Sequence, residues 1–411
     1  MKAIVIGAGL IGLTTAYELA KAGIEVEVVE RSVVGSGASR GNAGEICPEQ
    51  ATPVAKLALI VSALSQAYRR DSALHVNVGT LPGYLPFLLR VARNSLPRRY
   101  SENQSVLAEI QDLAMSAFLE LAEQVGLEAS SNGYLNVFAD ELSARKGRQS
   151  TLKRTSGSGI PHTVSEVLGP RDLVEIEPSL NAHGYGFLDE GSYYTNPIKY
   201  VEALHQHLLK AGVSIHEGVT VTSVTDFEGR QRVRASNAHF DADAVVVAAG
   251  VGTADIASAS GKPVPIRPGK GYSFTIDVPH PTSHIFKFDS AHVAGMPLAG
   301  NSLRIAGTME FDSDAHRFNS DRIKQIVAAV APYLPEEALR NRYNEWVGAR
   351  PLTPDGLPII SKLPSLQNTY VAAGHNMLGL MLSPFTARTI RDMVLGHSTS
   401  SARHFSASRR F

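Results

Sequence analysis

Hydrophobic positions along this 411-residue chain follow two rhythms. One is the short unbroken apolar run of a strand covered on both faces, and the other is the three-to-four-residue beat of an amphipathic helix. Both occur in the first thirty residues. Lys2-Ala3-Ile4-Val5-Ile6 is an apolar run rich in β-branched residues, Gly7-Ala8-Gly9-Leu10-Ile11-Gly12 follows at once, and Leu13 to Ala22 reads as a helix. A second run, Val26 to Val29, ends at Glu30. The order strand, glycine turn, helix, strand, acid predicts a complete βαβ unit.

Further on, apolar residues at Val106, Ile110, Leu113, Phe118, Leu121 and Val125 predict a long helix over 105–125. A strand is expected at 133–138, and a polar helix with a Gly/Ser turn at 141–160. Asn196 and Pro197 should cap a helix that stops at Gly212. Positions 219–224 alternate with period two, and 244–250 is a continuous apolar run ended by Gly250. The stretches 261–277 and 284–307 read as β-rich, 320–333 as a helix, and 345–360 as Pro- and Gly-rich. Tyr370 to Gly374 repeats the run-then-glycine pattern, and 383–395 reads as a closing helix. The Ser-rich, basic tail from His397 is expected to be mobile. Between Pro53 and Pro97 lie two apolar pieces, 54–61 and 81–91, followed by Arg93, Arg98 and Arg99. They read as helices packed on the main domain, with contact to a membrane surface as the alternative.

Three widely separated runs therefore end in glycine, at Ile6-Gly7, Ala249-Gly250 and Ala373-Gly374. Carboxyl ends of parallel strands share one edge of a sheet, where ligands bind. The pattern predicts an α/β fold with a Rossmann-like nucleotide domain in three discontinuous segments and a β-rich α+β substrate-binding domain. The expected nucleotide segments are 1–125, with a helical insertion at about 50–105, 166–262 and 340–411, with 126–165 and 263–339 in the second domain.

The chemistry of the first unit follows from residue type. Gly7 makes the tight turn, Gly9 lets the backbone approach a pyrophosphate, and Gly12 lets helix and strand pack closely. The helix N-terminus offers N–H groups to phosphates. Glu30 stands 18 residues after Gly12, near the roughly 20 at which a ribose-binding acid is expected. The small-residue loop Val33 to Gly44 supplies N–H and hydroxyl donors able to wrap a cofactor.

Composition narrows the field further. Lys plus Arg equals Asp plus Glu at 39 each, which leaves no electrostatic footprint for nucleic acid. A single cysteine, Cys47, excludes an internal disulfide and a Cys-only metal cluster. No run reaches the roughly 18 apolar residues of a membrane span, so a cytoplasmic protein is expected, with peripheral attachment at the inner face of a membrane left open. His205 and His207 make a poor metal pair, and no metal is expected.

The chain resembles the D-amino-acid oxidase type of FAD-dependent oxidoreductases, and within it the D-amino-acid dehydrogenase branch. The resemblance rests on VIGAGLIGLTTAYELAKAG, SRGNAG, DAVVVAAG, RPGKGYS, EWVGARPLTPDGLPII and AAGHNMLGLMLSP. It implies that Gly7, Ala8, Gly9, Leu10, Ile11 and Gly12 hold the FAD pyrophosphate, with Glu30 and Arg31 at the adenosine ribose. Ser39, Arg40, Asn42, Ala43 and Gly44 would pass along the ribityl and flavin region, and Val221 would meet the adenine. Ala249 and Gly250 would sit by the pyrophosphate, and Met377, Leu378, Gly379 and Leu380 beside the isoalloxazine. It further implies that Arg350 binds a substrate carboxylate. Tyr272 and Tyr194 are candidate pocket hydroxyls, and His375 a candidate group beside the flavin.

Departures matter too. Met377 stands where glycine-oxidase-like relatives can carry a second arginine. Cys47 is misplaced for the flavin linkage of sarcosine-oxidase-like relatives, and 33–44 holds no histidine, so FAD should be non-covalent. The resemblance implies oxidative deamination of a D-amino acid by hydride transfer to flavin N5, with electrons passed to a quinone, a dye-like or protein acceptor, or oxygen. The alternatives are an oxidase of glycine, sarcosine or a cyclic imino acid, and a flavin subunit of a larger electron-transfer complex.

Overall fold

The computed structural model describes residues 1–47, 51–53, 74–76, 81–156, 163–236, 238–289, 292–312 and 314–411. The apolar piece expected at 54–61 lies outside them.

Two sheets organise the molecule. The first has six strands in the order Ile359–Lys362, Thr369–Ala373, Ala244–Val247, Lys2–Ile6, Glu25–Val29, Ser214–His216. All pairings are parallel except that of the edge strand Ile359–Lys362. Ile4, Val5 and Val28 are fully buried, as central parallel strands require. The three glycine-ended runs are thus neighbours, with Val5 opposite Val246 and Val247 opposite Val371.

Helices cover this sheet. Leu10–Lys21 buries Leu13, Ala16 and Leu19 against the Pro197–Lys210 and Gly379–Val394 helices. The long helix is Pro97–Val125, starting earlier than expected because Pro97 is pre-set for a first helical turn. It ends at Gly126 in a left-handed conformation (φ +67°). Leu107, Ile110, Ala114, Phe118 and Leu121 form its buried stripe, and the Phe118 ring meets Tyr200 edge-on at 5.7 Å. Leu113, expected inside, faces solvent. Asn196 caps Pro197–Lys210 as expected, its side chain accepting from the Ile198 and Lys199 N–H groups.

The second sheet runs Tyr343–Leu352, Arg267–Asp277, Ser302–Phe311, Val293–Pro297, Ile285–Phe288, Tyr134–Phe138, Tyr185–Asp189, with Leu74–Val76 paired beside Ser302–Phe311. Strand pairing therefore places 185–189 and 343–352 in this sheet rather than with the nucleotide segments expected at 166–262 and 340–411. The first half of the stretch read only as Pro- and Gly-rich is strand, because Gly348, Ala349 and Arg350 pair with Gly271, Lys270 and Gly269. A small antiparallel sheet, Val221–Phe227, Arg230–Ala235 and His239–Ala242, contains two strands that polar composition hid.

The tail is not loose. Phe405 is fully buried and meets Phe385 edge-on at 6.3 Å. Arg409 donates to both Asp355 carboxylate oxygens at 2.6 and 3.1 Å, and the Ala407 N–H donates to Ser361 Oγ. Periodicity could not reveal this, because the partners lie some fifty residues away in sequence.

Candidate active site

The carboxyl ends of the first sheet and one face of the second enclose a cavity of about 1520 Å³, larger than the roughly 300–1,000 Å³ of an ordinary small-ligand pocket. Its floor is built by glycine. Gly7 takes φ +107°, and a Cβ there would stand 2.5 Å from Ala248 O. A Cβ on Gly12 would overlap Gly7 O, so only glycine lets the helix start this close to the strand. Gly9, the N-cap residue, has no side chain to cap the helix. The first-turn N–H groups, which a helix leaves without intrahelical partners, lie at the cavity wall formed by Gly9, Leu10 and Ile11.

Glu30 and Arg31 line the same end. Glu30 also braces the turn, accepting from the Ala8 N–H at 2.7 Å and the Ser32 N–H at 2.9 Å. The Ala8 amide is therefore taken by Glu30, and neither Ala8 nor Gly12 lines the cavity. Ser39 lines it and accepts from the Leu10 N–H at 3.0 Å. Asn42, Ala43, Val221, Ala249 and Gly250 line it as well. At the far side Met377, Gly379 and Leu380 contribute, and Met377 is 52% exposed to the open space. Gly379 and Leu380 open the Gly379–Val394 helix, so its positive end meets the cavity. Arg40, Gly44 and Leu378 do not line the cavity. Gly44 is held against Thr195 O and Met296, and Arg40 turns to a separate hollow.

Arg350 projects into the other end. Its guanidinium lies over Gly271, where a Cβ would overlap it, which gives the RPGKGYS glycine a physical reason. Nη1 donates to Thr308 O at 3.0 Å, and Thr308 takes φ +63°. Burial pulls the Arg350 pKa down to about 10, with Glu45 acting the other way, so it remains a cation at neutral pH. Among the described residues no carboxylate forms an ion pair with it, and most of its fork is free for a ligand.

Three polar groups missed in the sequence share this end: Glu45, Tyr134 and Lys287. The Tyr134 hydroxyl donates to Glu45 Oε1 at 2.7 Å. Burial raises the Glu45 pKa, against the Tyr134 hydrogen bond and the charges of Lys287 and Arg350. Trp346 is a further unforeseen wall, its ring set against Gly41 and Gly348. The only hints in the sequence were the position of Glu45 directly after SRGNAG and that of Trp346 within EWVGARPLTPDGLPII.

The other candidates are engaged elsewhere. Tyr272 borders the cavity, but its hydroxyl donates to Glu310 in a buried network with Lys270 and Asp312. Burial, then Glu310, raises its pKa far above the usual range. Tyr194 is outside the cavity, and its hydroxyl donates to Ser283 O at 2.9 Å. His375 borders the cavity while its Nε2 shares a 2.9 Å hydrogen bond with Thr386 Oγ1, and burial lowers its pKa to about 3, leaving it neutral.

A long cavity with a glycine and helix-terminus cradle at one end and an unpaired guanidinium at the other fits FAD plus a small anionic substrate. The chain belongs to the FAD dependent oxidoreductase (DAO) family, whose sequence profile matches residues 2–393. It is similar to a D-amino acid dehydrogenase of Cereibacter sphaeroides, 27% identical over 410 residues that cover 97% of this chain and 92% of that protein. A D-amino acid dehydrogenase of Rhizobium rhizogenes is 28% identical, covering 97% and 96%. In fold it matches the crystal structure of glycine oxidase from Geobacillus kaustophilus with a TM-score of 0.74, at 22% identity over 100% of this chain and 98% of that one. This is an FAD-dependent enzyme of the amino-acid oxidoreductase type. Among the described residues no helix is long and apolar enough to cross a membrane.

Proposed function

We propose that this enzyme is a dehydrogenase that deaminates a D-amino acid to the 2-oxo acid and ammonia, with FAD held non-covalently. The observation that carries the reading is Arg350 and Glu45 facing one cavity without forming an ion pair with each other. A guanidinium and a carboxylate match the two charged ends of an amino acid. Arg350 grips the carboxylate with two parallel N–H donors and fixes its orientation. Glu45, its proton affinity raised by burial, accepts a hydrogen bond from the amine and shares its proton. FAD, when bound, would supply the acceptor for the hydride leaving the substrate Cα, and water hydrolyses the resulting imino acid to the 2-oxo acid and ammonia. Neutral His375 adds no positive charge there, and the Gly379–Val394 helix end favours negative charge that develops nearby.

The relatives named D-amino acid dehydrogenase support the choice of stereoisomer and of an acceptor other than oxygen. Met377 in place of a second arginine favours an apolar substrate side chain over a second carboxylate. The helix Leu81–Asn94 lines the cavity and exposes Leu85 and Leu89 beside Arg90 and Arg93. Such a face suits a lipid-soluble quinone acceptor at an anionic membrane surface.

The test is bleaching of bound flavin without oxygen by a panel of D- and L-amino acids and secondary amines. D-Amino acids should bleach it and then reduce a quinone or dye, with little peroxide formed in air. Bleaching by no amino acid overturns the reading; bleaching with rapid peroxide formation makes the protein an oxidase.

A further inference from the structure

Arg40 lines a separate hollow of about 120 Å³ together with Arg304, Asn196, Tyr343 and Asn344. Arg304 stands on the Ser302–Phe311 strand and is only 6% exposed. Two hydroxyls fix its guanidinium: Nη2 donates to Ser273 Oγ at 2.8 Å and Nη1 to Thr275 Oγ1 at 3.4 Å. Its Nε is buried with no acceptor. Among the described residues neither Arg304 nor Arg40 has a carboxylate partner. Asp277, near the rim, is occupied by the Tyr343 and Ser302 hydroxyls at 2.8 and 2.7 Å. Burial, and then the like charge of Arg40, pull the Arg304 pKa down to about 10, so the cation persists at neutral pH.

A buried cation facing a second cation, with no counter-charge, is costly, and an anion between them removes the cost. Two guanidinium forks match the paired oxygens of a phosphate or carboxylate. The start of the 14-residue Pro197–Lys210 helix borders the hollow and adds to its positive potential. We infer that this hollow binds one small oxyanion between Arg304 and Arg40. The site does not depend on which substrate the enzyme takes.

Its position gives it a consequence. Arg40 follows Ser39, which accepts from the Leu10 N–H, and precedes Asn42 and Ala43 on the cavity wall. Ser273, which holds Arg304, also donates to Gly41 O at 3.5 Å. An anion seated here fastens the 39–44 loop to the second sheet from outside the cavity and slows loss of FAD.

The experiment uses FAD-loaded protein dialysed into chloride buffer, titrated calorimetrically with inorganic phosphate and separately with acetate. FAD release is followed by flavin fluorescence. In an Arg350→Ala background, which removes the guanidinium of the main cavity, saturable uptake of one anion per chain is expected, with at least about tenfold weaker binding when Arg304→Met or Arg40→Gln is added. Saturating anion should slow FAD release in the unmodified protein and leave it unchanged in Arg40→Gln. Preference for phosphate or for acetate identifies the source; either supports the site. Arg40→Gln changes an exposed side chain and keeps the test decisive if Arg304→Met fails to fold. No saturable uptake, equal uptake by Arg40→Gln, or uptake only by FAD-free protein and reversed by FAD would overturn the site. Uptake without any change in FAD release would overturn the fastening role.

Discussion

At the end of the cavity beside Gly7, Gly9 and Glu30, the wall is built largely of main chain, with Ala248, Ala249 and Gly250 joining the opening βαβ unit. At the other end Arg350, Glu45, Tyr134 and Lys287 arrive on four different strands and act through side-chain tips. The first arrangement tolerates almost no added volume, since its defining contacts are backbone against backbone. On the proposed function the second should tolerate changes of volume but not of charge, since that reading rests on a cation and a carboxylate facing one cavity. Shape governs one end and electrostatics the other.

This contrast can be broken. The largest effect is expected from Gly12→Val, whose side chain would overlap Gly7 O. The purified variant should carry no flavin, read from its visible absorbance per chain. Retention of FAD would mean that close packing is not what the cradle requires. Next comes Arg350→Ala, which should lower kcat/KM for amino acids on the order of a hundred- to a thousandfold. FAD content should stay at the wild-type level, because Arg350 belongs to the other end. Loss of flavin in this variant would erase the distinction between the ends.

His375 borders the cavity and makes a smaller, pH-dependent prediction. Its pKa falls from 6.5 to about 3 on folding, so the unfolded chain binds the proton first. The stability it contributes is fully present above pH 6.5 and drains away as pH falls toward 3, on the order of 3 kcal/mol by pH 4. Thermal melts of wild type and His375→Gln from pH 7 to pH 4 should therefore converge as the solution is acidified. Parallel curves would show that His375 titrates normally. The smallest effect belongs to Tyr194→Phe. It removes a hydrogen bond to Ser283 outside the cavity, costs about 1 kcal/mol of stability, and should leave kcat/KM within about twofold. A larger drop in turnover would return Tyr194 to the site.

The same contrast explains what could be read beforehand. The nucleotide end was legible because its demands are local: GAGLIG, a helix beat and Glu30 all fall within thirty residues. Arg350 stands out in the sequence only because its surrounding motif resembles a family, since an isolated arginine on a strand carries no signal. Glu45, Tyr134 and Lys287 were missed because they meet only through the register of Tyr134–Phe138 against Ile285–Phe288 and through the short Glu45–Ile46 strand. The resemblance puts Arg40 beside the flavin and Tyr272 and Tyr194 are candidate pocket hydroxyls, but Glu310 and Ser283, distant in sequence, take the two tyrosine hydroxyls, and Arg40 lines the separate hollow. The ordered tail failed for the same reason, because a Ser-rich segment discloses nothing of Asp355.

Lys2–Ile6 sits mid-sheet with Glu25–Val29 on one side and Ala244–Val247 on the other, and Thr369–Ala373 lies one strand further out. During synthesis the opening βαβ unit leaves the ribosome hundreds of residues before its later neighbours exist. Until they arrive, the backbone of Lys2–Ile6 presents an unpaired strand edge, and Ala3 and Val5 an uncovered apolar face, of the kind that chaperones cover. The cavity takes its lining from Gly7, Ala249 and Ala373 alike, so a nucleotide meets its full site only once the chain has been made through the last of these strands.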